Sequence, residues 1–220
     1  MGVVTTMNKL RIACIAALAA GLVSGQASAT VIDFVAEAGA RGERGVADGA
    51  ILNTAEMGGL NLQFSGGIGG VQRDFAYFNT ATANGSPQGL GTCSRLDSLS
   101  QCNPEYDDVV ASNEWVQVGF VDGPFDVRAL SFVGGGNASL NSSSGLIKIT
   151  TSLNSVVSMV TMTFAQASTF AFGLVDWIRF QFEGTEFVVA SISDIPLPGA
   201  LPLLLSGLAG LGFAARRKKA

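Results

Sequence analysis

Residues 115–120 read Trp-Val-Gln-Val-Gly-Phe, and residues 178–182 read Ile-Arg-Phe-Gln-Phe. In both stretches apolar side chains occupy every second position, which is the period of a β-strand with one face in a core. Val116 and Val118 therefore point to one side and Trp115 to the other. Alternation of this kind is typical of a two-sheet sandwich.

Short β-branched and aromatic segments separated by glycine-rich turns continue this pattern along the chain. The predicted strands are Thr30–Val35, Leu60–Phe64, Phe75–Phe78, Trp115–Phe120, Val127–Val133, Leu146–Thr151, Val156–Phe164, Thr169–Leu174, Ile178–Phe182 and Glu186–Ser193. A helical turn is predicted over Ala36–Arg41, and residues 182–187 predict a hairpin. We therefore expect an all-β fold, a single jelly-roll-like β-sandwich over residues 30–194.

The composition limits the possible functions. Charged residues make up 14% of the chain, the net charge is −4, and the basic residues form a run only at the C-terminal end. The sequence therefore lacks the clustered basic residues that nucleic-acid binding requires. The chain has no histidine, which counts against Ser-His-Asp, Cys-His and zinc-hydrolase chemistry but leaves carboxylate mechanisms open.

The N-terminal segment, residues 1–29, has the parts of a secretory signal peptide. Two basic residues precede an apolar run over residues 12–23, and Ala27-Ser28-Ala29 is a small-x-small cleavage site. We expect export through the Sec translocon and cleavage by signal peptidase, leaving a mature chain that begins near Thr30. An uncleaved anchor is the alternative.

The C-terminal segment, residues 195–220, contains an uncharged run as far as residue 215. This run is long enough to cross a hydrocarbon core, which takes about 20 residues. The positive-inside rule keeps the basic residues that follow in the cytoplasm, so the body would lie on the periplasmic side. These residues are Arg216, Arg217, Lys218 and Lys219.

This order of a proline motif, an apolar helix and a basic stop resembles the VPLPA class of PEP-CTERM sorting signals. The motif consists of Ile195, Pro196, Leu197 and Pro198. Isoleucine stands where the family usually has valine, and Gly199-Ala200 replaces the usual Ala-Gly. The resemblance implies cleavage near the motif by an exosortase-like membrane protease, and display at the surface or in the biofilm matrix of a Gram-negative bacterium. A permanent membrane anchor is the alternative.

Part of the body also resembles exported VPLPA-tailed proteins. Residues 43–49 match an opening segment of that group. Residues 89–114 match a second segment, in which a cysteine pair is followed by an Asp-Asp step and by a glutamate that opens a strand. Members of this group have no assigned role, so the resemblance implies export and a β fold without an activity.

Two cysteines remain once Cys14 is lost with the leader. Cys93 and Cys102 lie nine positions apart in a Gly/Ser/Asn-rich stretch, and in an oxidising compartment they predict a disulfide. Closing so short a loop contributes about 2–3 kcal/mol. A metal pair and a redox pair are the alternatives, although the spacing is wrong for a CxxC motif.

Acidic residues cluster around the strand at residues 115–120. Oxygen ligands in a Gly/Asn-rich loop suit Ca²⁺, and the candidate ligands are Asp107, Asp108 and Glu114. A solvated acidic rim is the alternative. No other cofactor is expected.

Two aromatic residues, Trp115 and Tyr106, offer flat surfaces for stacking on sugars, whereas Trp177 is expected to pack in the core. The function predicted is a non-enzymatic matrix or adhesion protein that binds polysaccharide or another surface polymer. The alternative is a secreted glycan-acting enzyme with paired carboxylates. Its candidate residues are Glu114, Asp126, Asp176, Glu183 and Glu186.

Overall fold

The computed structural model describes residues 29–71, 74–80, 88–104 and 107–194. Apart from Ala29, the predicted signal peptide lies outside these residues, and so does the whole predicted sorting tail. The described chain is built mainly of β-strands, so the all-β class is confirmed. None of its helices has the length and apolar character needed to cross a membrane.

Strands follow one another with few helical interruptions. In chain order the elements are β1 (Val31–Asp33), α1 (Phe34–Arg41), β2 (Arg44–Val46), β3 (Ile51–Leu52), β4 (Leu62–Ile68), β5 (Phe75–Asn79), β6 (Gly89–Cys93), β7 (Glu114–Phe120), β8 (Phe125–Val127), β9 (Ala129–Gly134), a 3-10 turn (Gly135–Asn137), β10 (Ala138–Ser139), β11 (Leu146–Leu153), β12 (Val156–Thr163), α2 (Phe164–Ala167), β13 (Gly173–Val175), β14 (Trp177–Phe182) and β15 (Val188–Ser193).

Two large sheets and one small ribbon contain all of these strands. The seven-stranded sheet has the order β10-β9-β15-β6-β5-β2, and β1 also pairs with β15. The six-stranded sheet has the order β12-β11-β14-β7-β4-β3, while β8 and β13 form the ribbon. The strand pairs are antiparallel, as expected where each sheet buries one face and leaves the other in solvent.

The apolar core draws side chains from both large sheets. Phe64 of the six-stranded sheet and Phe78 of the seven-stranded sheet are fully buried, with ring centres 5.4 Å apart. A second group of rings joins Phe132 of β9 to Phe180 of β14 at 5.8 Å. Edge-to-face pairs of this kind add about 0.5–1.5 kcal/mol each beyond area burial, so aromatic contacts hold the two sheets together.

Helix α1 closes one side of this core. The Asp33 carboxylate caps its N-terminus by accepting from Ala36 N at 2.9 Å, which satisfies a backbone donor that the helix itself cannot. The fully buried Glu37 carboxylate forms an ion pair with Arg44 and accepts from the Thr54 hydroxyl at 2.6 Å. The helix is thereby tied to β2 and to the loop after β3.

Several local predictions differ from the structure. Residues 182–187 do not form a hairpin, because β14 and β15 belong to different sheets and the turn between them crosses the core edge. The predicted strand at 127–133 is divided between β8 and β9, and the one at 169–174 is reduced to β13. Strand β6 was not predicted, since its sequence Gly-Leu-Gly-Thr-Cys has almost no apolar signal.

The two ends of the described body meet. Thr30 N donates to the Asp194 carboxylate at 2.6 Å, and Asp194 N donates to Thr30 O at 3.2 Å. Strand β1 pairs with β15 directly beside these bonds. The predicted leader and the predicted tail are therefore attached at one point of the body.

Candidate functional site

The outer face of the six-stranded sheet carries both tryptophans. The register places Arg179 opposite Gln117, Gln181 opposite Trp115, and Trp177 opposite Gly119. Val116, Val118, Ile178 and Phe180 point inward and are fully buried. The alternation that the sequence predicted for β7 and β14 is confirmed, and it assigns aromatic and polar side chains to one solvent-facing surface.

Trp115 lies on this surface but is covered. Its side is closed by Gly67, where an added Cβ would come within 2.4 Å of the indole. Its top is closed by the Arg179 guanidinium, 3.7 Å from the ring centre. Only 3% of Trp115 is exposed, so the ring offers no open face on which a sugar could stack, and sugar binding by Trp115 stays a prediction. Tyr106, the other predicted stacking residue, lies outside the described residues.

Arg179 is held in place over Trp115. Its Nε and Nη2 atoms donate to Gln117 Oε1 at 3.1 and 2.9 Å, and burial lowers the pKa of its guanidinium. The group also lies 5.6 Å from the Trp177 ring centre. A cation that stacks on one indole, lies near a second and is bound by an amide has little freedom left to move.

Trp177, and not Trp115, is the tryptophan whose side chain is partly exposed. Its ring is partly exposed and lines an open depression of about 300 Å³ together with Gln63, Gln117 and Asp176. We call these four residues with Arg179 the Trp177 face. Sequence reasoning placed Trp177 in the core because apolar residues follow it, although its position in the alternation of β14 indicates the outer side.

The predicted cysteine pair is present on the other sheet. The Cys93 and Cys102 sulfur atoms lie 2.03 Å apart, with Cα atoms separated by 5.8 Å. Cys102 N donates to the buried Tyr77 hydroxyl at 3.2 Å. The disulfide thus fixes the loop between β6 and β7 against the seven-stranded sheet.

Two of the predicted calcium ligands are buried, Asp108 within this loop and Glu114 at the start of β7. Burial raises the pKa of Asp108 to about 6, and the neighbouring Glu43 charge adds to the effect. Burial likewise raises the pKa of Glu114 to about 7. Glu114 Oε2 accepts from Ala111 N at 2.7 Å and lies 3.0 Å from the Thr92 hydroxyl, where the two sheets meet.

The three candidate calcium ligands do not converge. Asp107 is directed to Ser94, whose backbone N–H donates to its carboxylate at 3.0 Å. Among the described residues, one set of three acidic or sulfur ligand atoms lies mutually within 4.8 Å, namely Cys93, Cys102 and Asp107, and its sulfurs are joined to each other. Calcium ligands lie 2.3–2.6 Å from the ion and must therefore lie close together, so the arrangement does not support Asp107, Asp108 and Glu114 as one calcium site.

The candidate catalytic carboxylates are dispersed as well. Asp126 pairs with Arg128 at 2.6 Å and Glu183 with Lys148 at 3.0 Å. Asp176 accepts from Asn154 N at 2.6 Å, and Glu186 is exposed in the turn before β15. With Glu114 buried, the geometry gives no reason to select a catalytic pair from this set.

Comparison with protein-family models, curated proteins and solved structures finds no match to this chain. The site is therefore interpreted from its own geometry. An aromatic ring with amide and carboxylate groups surrounds one open depression.

Proposed function

We propose that this chain is an exported, non-catalytic protein whose body, a jelly-roll-like β-sandwich, binds polysaccharide at the Trp177 face. The observation that carries the proposal is the partly exposed Trp177 ring beside Gln63, Gln117 and Asp176 in a depression of about 300 Å³. A flat indole offers an apolar surface for the C–H face of a sugar ring. The surrounding side chains supply groups for its hydroxyls.

The polar groups around Trp177 match the chemistry of hydroxyl-rich ligands. A glutamine amide both donates and accepts, and an ionised carboxylate accepts. Gln117 is already oriented by Arg179, so little side-chain freedom is lost when a ligand binds. An open surface of this kind fits a polymer chain, which must enter from the side, better than a small enclosed ligand.

Several contacts support binding over turnover. The carboxylate that lines the depression with Trp177 is that of Asp176, and it accepts from the Asn154 backbone at 2.6 Å. Glu114, with its raised pKa, is 7% exposed and lies between the sheets. A glycosidase needs two carboxyl groups on either side of the scissile bond.

The binding test compares the full chain with two alanine variants on a panel of neutral and acidic polysaccharides. We expect Trp177→Ala to weaken binding by about tenfold or more, the loss of roughly 1.4 kcal/mol. Phe170→Ala is the matched control, because Phe170 is an aromatic residue 48% exposed away from the face. Equal binding by both variants would overturn the proposed site, and turnover of any glycan by the wild-type chain would overturn the non-catalytic role.

For localisation, we propose that the leader directs export and that the tail is a transient anchor processed by an exosortase-like enzyme. The two end segments support one topology, with the body outside and Arg216–Lys219 inside. Intact-mass measurement on surface or secreted material should show a protein that starts near Thr30 and lacks Arg216–Lys219. Surface material that retains the whole basic tail would contradict processing.

A further inference from the structure

Strand β12 is an exposed edge of the six-stranded sheet. It pairs with β11 along all eight of its residues and stands at the end of the strand order. Every second residue of an edge strand directs its N–H and C=O away from the sheet. β12 therefore presents a row of backbone donors and acceptors that a further strand could complete.

Apolar side chains flank this row on both faces. The register places Val157 and Met159 on the outer face, on the same side as Trp177, and Val156 and Val160 on the inner face. These four residues are 57%, 66%, 69% and 37% exposed, respectively. The core covers the strand only from Met162, which is 8% exposed, and the six residues before it are all exposed.

The other described sheet edges are short. β3 and β10 have two residues each and β2 has three, against eight in β12. Short edges and charged edge residues are the usual protection against pairing with another chain. β12 has neither, since it is long and contains no charged residue, proline or glycine.

The absence of charge extends well beyond the strand. No Asp, Glu, Lys or Arg occurs between Lys148 and Asp176, a stretch that includes β12 and α2. The whole chain carries a net charge of −4, so a contact between two copies is favoured where neither copy contributes a charge. The β12 edge is such a region.

We propose that two copies of this chain associate through β12, which pairs antiparallel with β12 of the second copy to form one continuous sheet. A two-fold axis perpendicular to the sheet at Met159 places Met159 opposite Met159 of the second copy and Val157 opposite Thr161, so outer side chains meet outer ones and inner meet inner. Such an interface is self-complementary, because each copy contributes the same strand. It buries the valines and Met159 and satisfies the free backbone groups of both edges.

A second copy suits this edge better than a charged peptide does. A basic or acidic partner would find no counter-charge on β12, whereas an identical strand has the same length and the same apolar side chains on each face. The contact is independent of the Trp177 face, which remains open on the outer surface two strands further in.

The test measures the mass of the full chain in detergent micelles by sedimentation equilibrium. We expect a dimer for the wild-type chain, and at least a tenfold rise in the dissociation constant for each of two variants. Met159→Lys places like charges directly opposite each other across the pair, and Val157→Lys places an unpaired charge in an apolar interface. Both side chains are more than half exposed, so the substitutions leave the core intact. Val121→Lys, at an exposed valine outside β12, should remain dimeric.

Amide hydrogen exchange locates the contact. In the dimer, alternate amides of residues 156–163 should be protected in the wild-type and Val121→Lys chains and exchange freely in the two β12 variants. A monomeric wild-type chain, dimers that survive both β12 substitutions, or unprotected β12 amides in a dimeric sample would each overturn the proposal. The last result would assign dimerisation to another segment.

Discussion

The Arg179 guanidinium stacks on Trp115, with its central carbon 3.7 Å from the centre of the indole ring. The same group is bound by Gln117 on the adjacent strand. One cation thus covers a large aromatic residue and orients an amide of the proposed binding face. If the proposed binding face is correct, Arg179 contributes both to stability and to recognition.

Replacing Arg179 should therefore loosen the centre of the face. In Arg179→Ala the stacking on Trp115 and two hydrogen bonds are lost, and we expect the free energy of unfolding to fall by about 1–3 kcal/mol. Trp115 should become accessible to acrylamide, which fluorescence quenching would detect. Arg128→Ala removes an exposed ion pair with Asp126 and should have a much smaller effect. Equal effects of the two substitutions would contradict the assigned role of Arg179.

Stability should depend on pH in the neutral range. Burial raises the pKa of Glu114 to about 7 and that of Asp108 to about 6, against about 4 in an unfolded chain. The folded state therefore holds protons that the unfolded state releases, and the free energy of unfolding decreases as pH rises from about 4 through 7. We expect a loss on the order of a few kcal/mol between pH 5 and 8, measured by urea unfolding.

Amide substitutions provide the control for this pH dependence. Glu114→Gln and Asp108→Asn remove the titrating groups but keep an oxygen that can accept a hydrogen bond, as Glu114 does from Ala111 N. The double variant should show a nearly flat pH profile between 5 and 8. A slope that persists in this variant would mean that other groups are responsible.

Strand β6 should be intolerant of a side chain at Gly91. An added Cβ would come within 2.3 Å of the Asp108 carbonyl oxygen, which is part of the backbone and cannot move without shifting the loop. We expect Gly91→Ala to lower stability by more than 1 kcal/mol. Gly119→Ala is the matched control in a strand, because its Cβ would lie 3.5 Å from Gln63 Cβ, an ordinary contact. Thermal unfolding that ranks the two variants equally would argue against the close approach.

The disulfide should stabilise the loop that covers β6. Cys93 and Cys102 close a loop with a separation of nine residues, for which chain entropy predicts a contribution of about 2–3 kcal/mol. Replacing both cysteines by serine should lower the denaturant midpoint accordingly, and a reductant should then have no further effect. A double variant as stable as the wild-type protein would show that the loop is held by its other contacts alone.

The alternation of apolar and polar residues predicted where several strands lie and which of their faces are buried. The alternation around Val116 and Val118 identified β7, its buried face and its outer face. It could not distinguish Trp115 from Trp177, because exposure is decided by Gly67 and Arg179, which come from other strands. Strand β6 was not predicted because its glycines are required by contacts with distant backbone, Gly89 with Val189 and Gly91 with Asp108. Residues 182–187 have the pattern of a hairpin, but a crossing between sheets has the same turn residues.

The contact between Thr30 and Asp194 links the two ends chemically. While residue 29 is attached, Thr30 N is a neutral amide that donates to the Asp194 carboxylate at 2.6 Å. Cleavage after Ala29 would turn this amide into an ammonium group, and a charge-assisted bond of that kind is roughly twice as strong. Removal of the leader would then tighten the strand pair that carries the tail. Cleavage at the N-terminal end would thus stabilise the strand pair at the C-terminal end of the body.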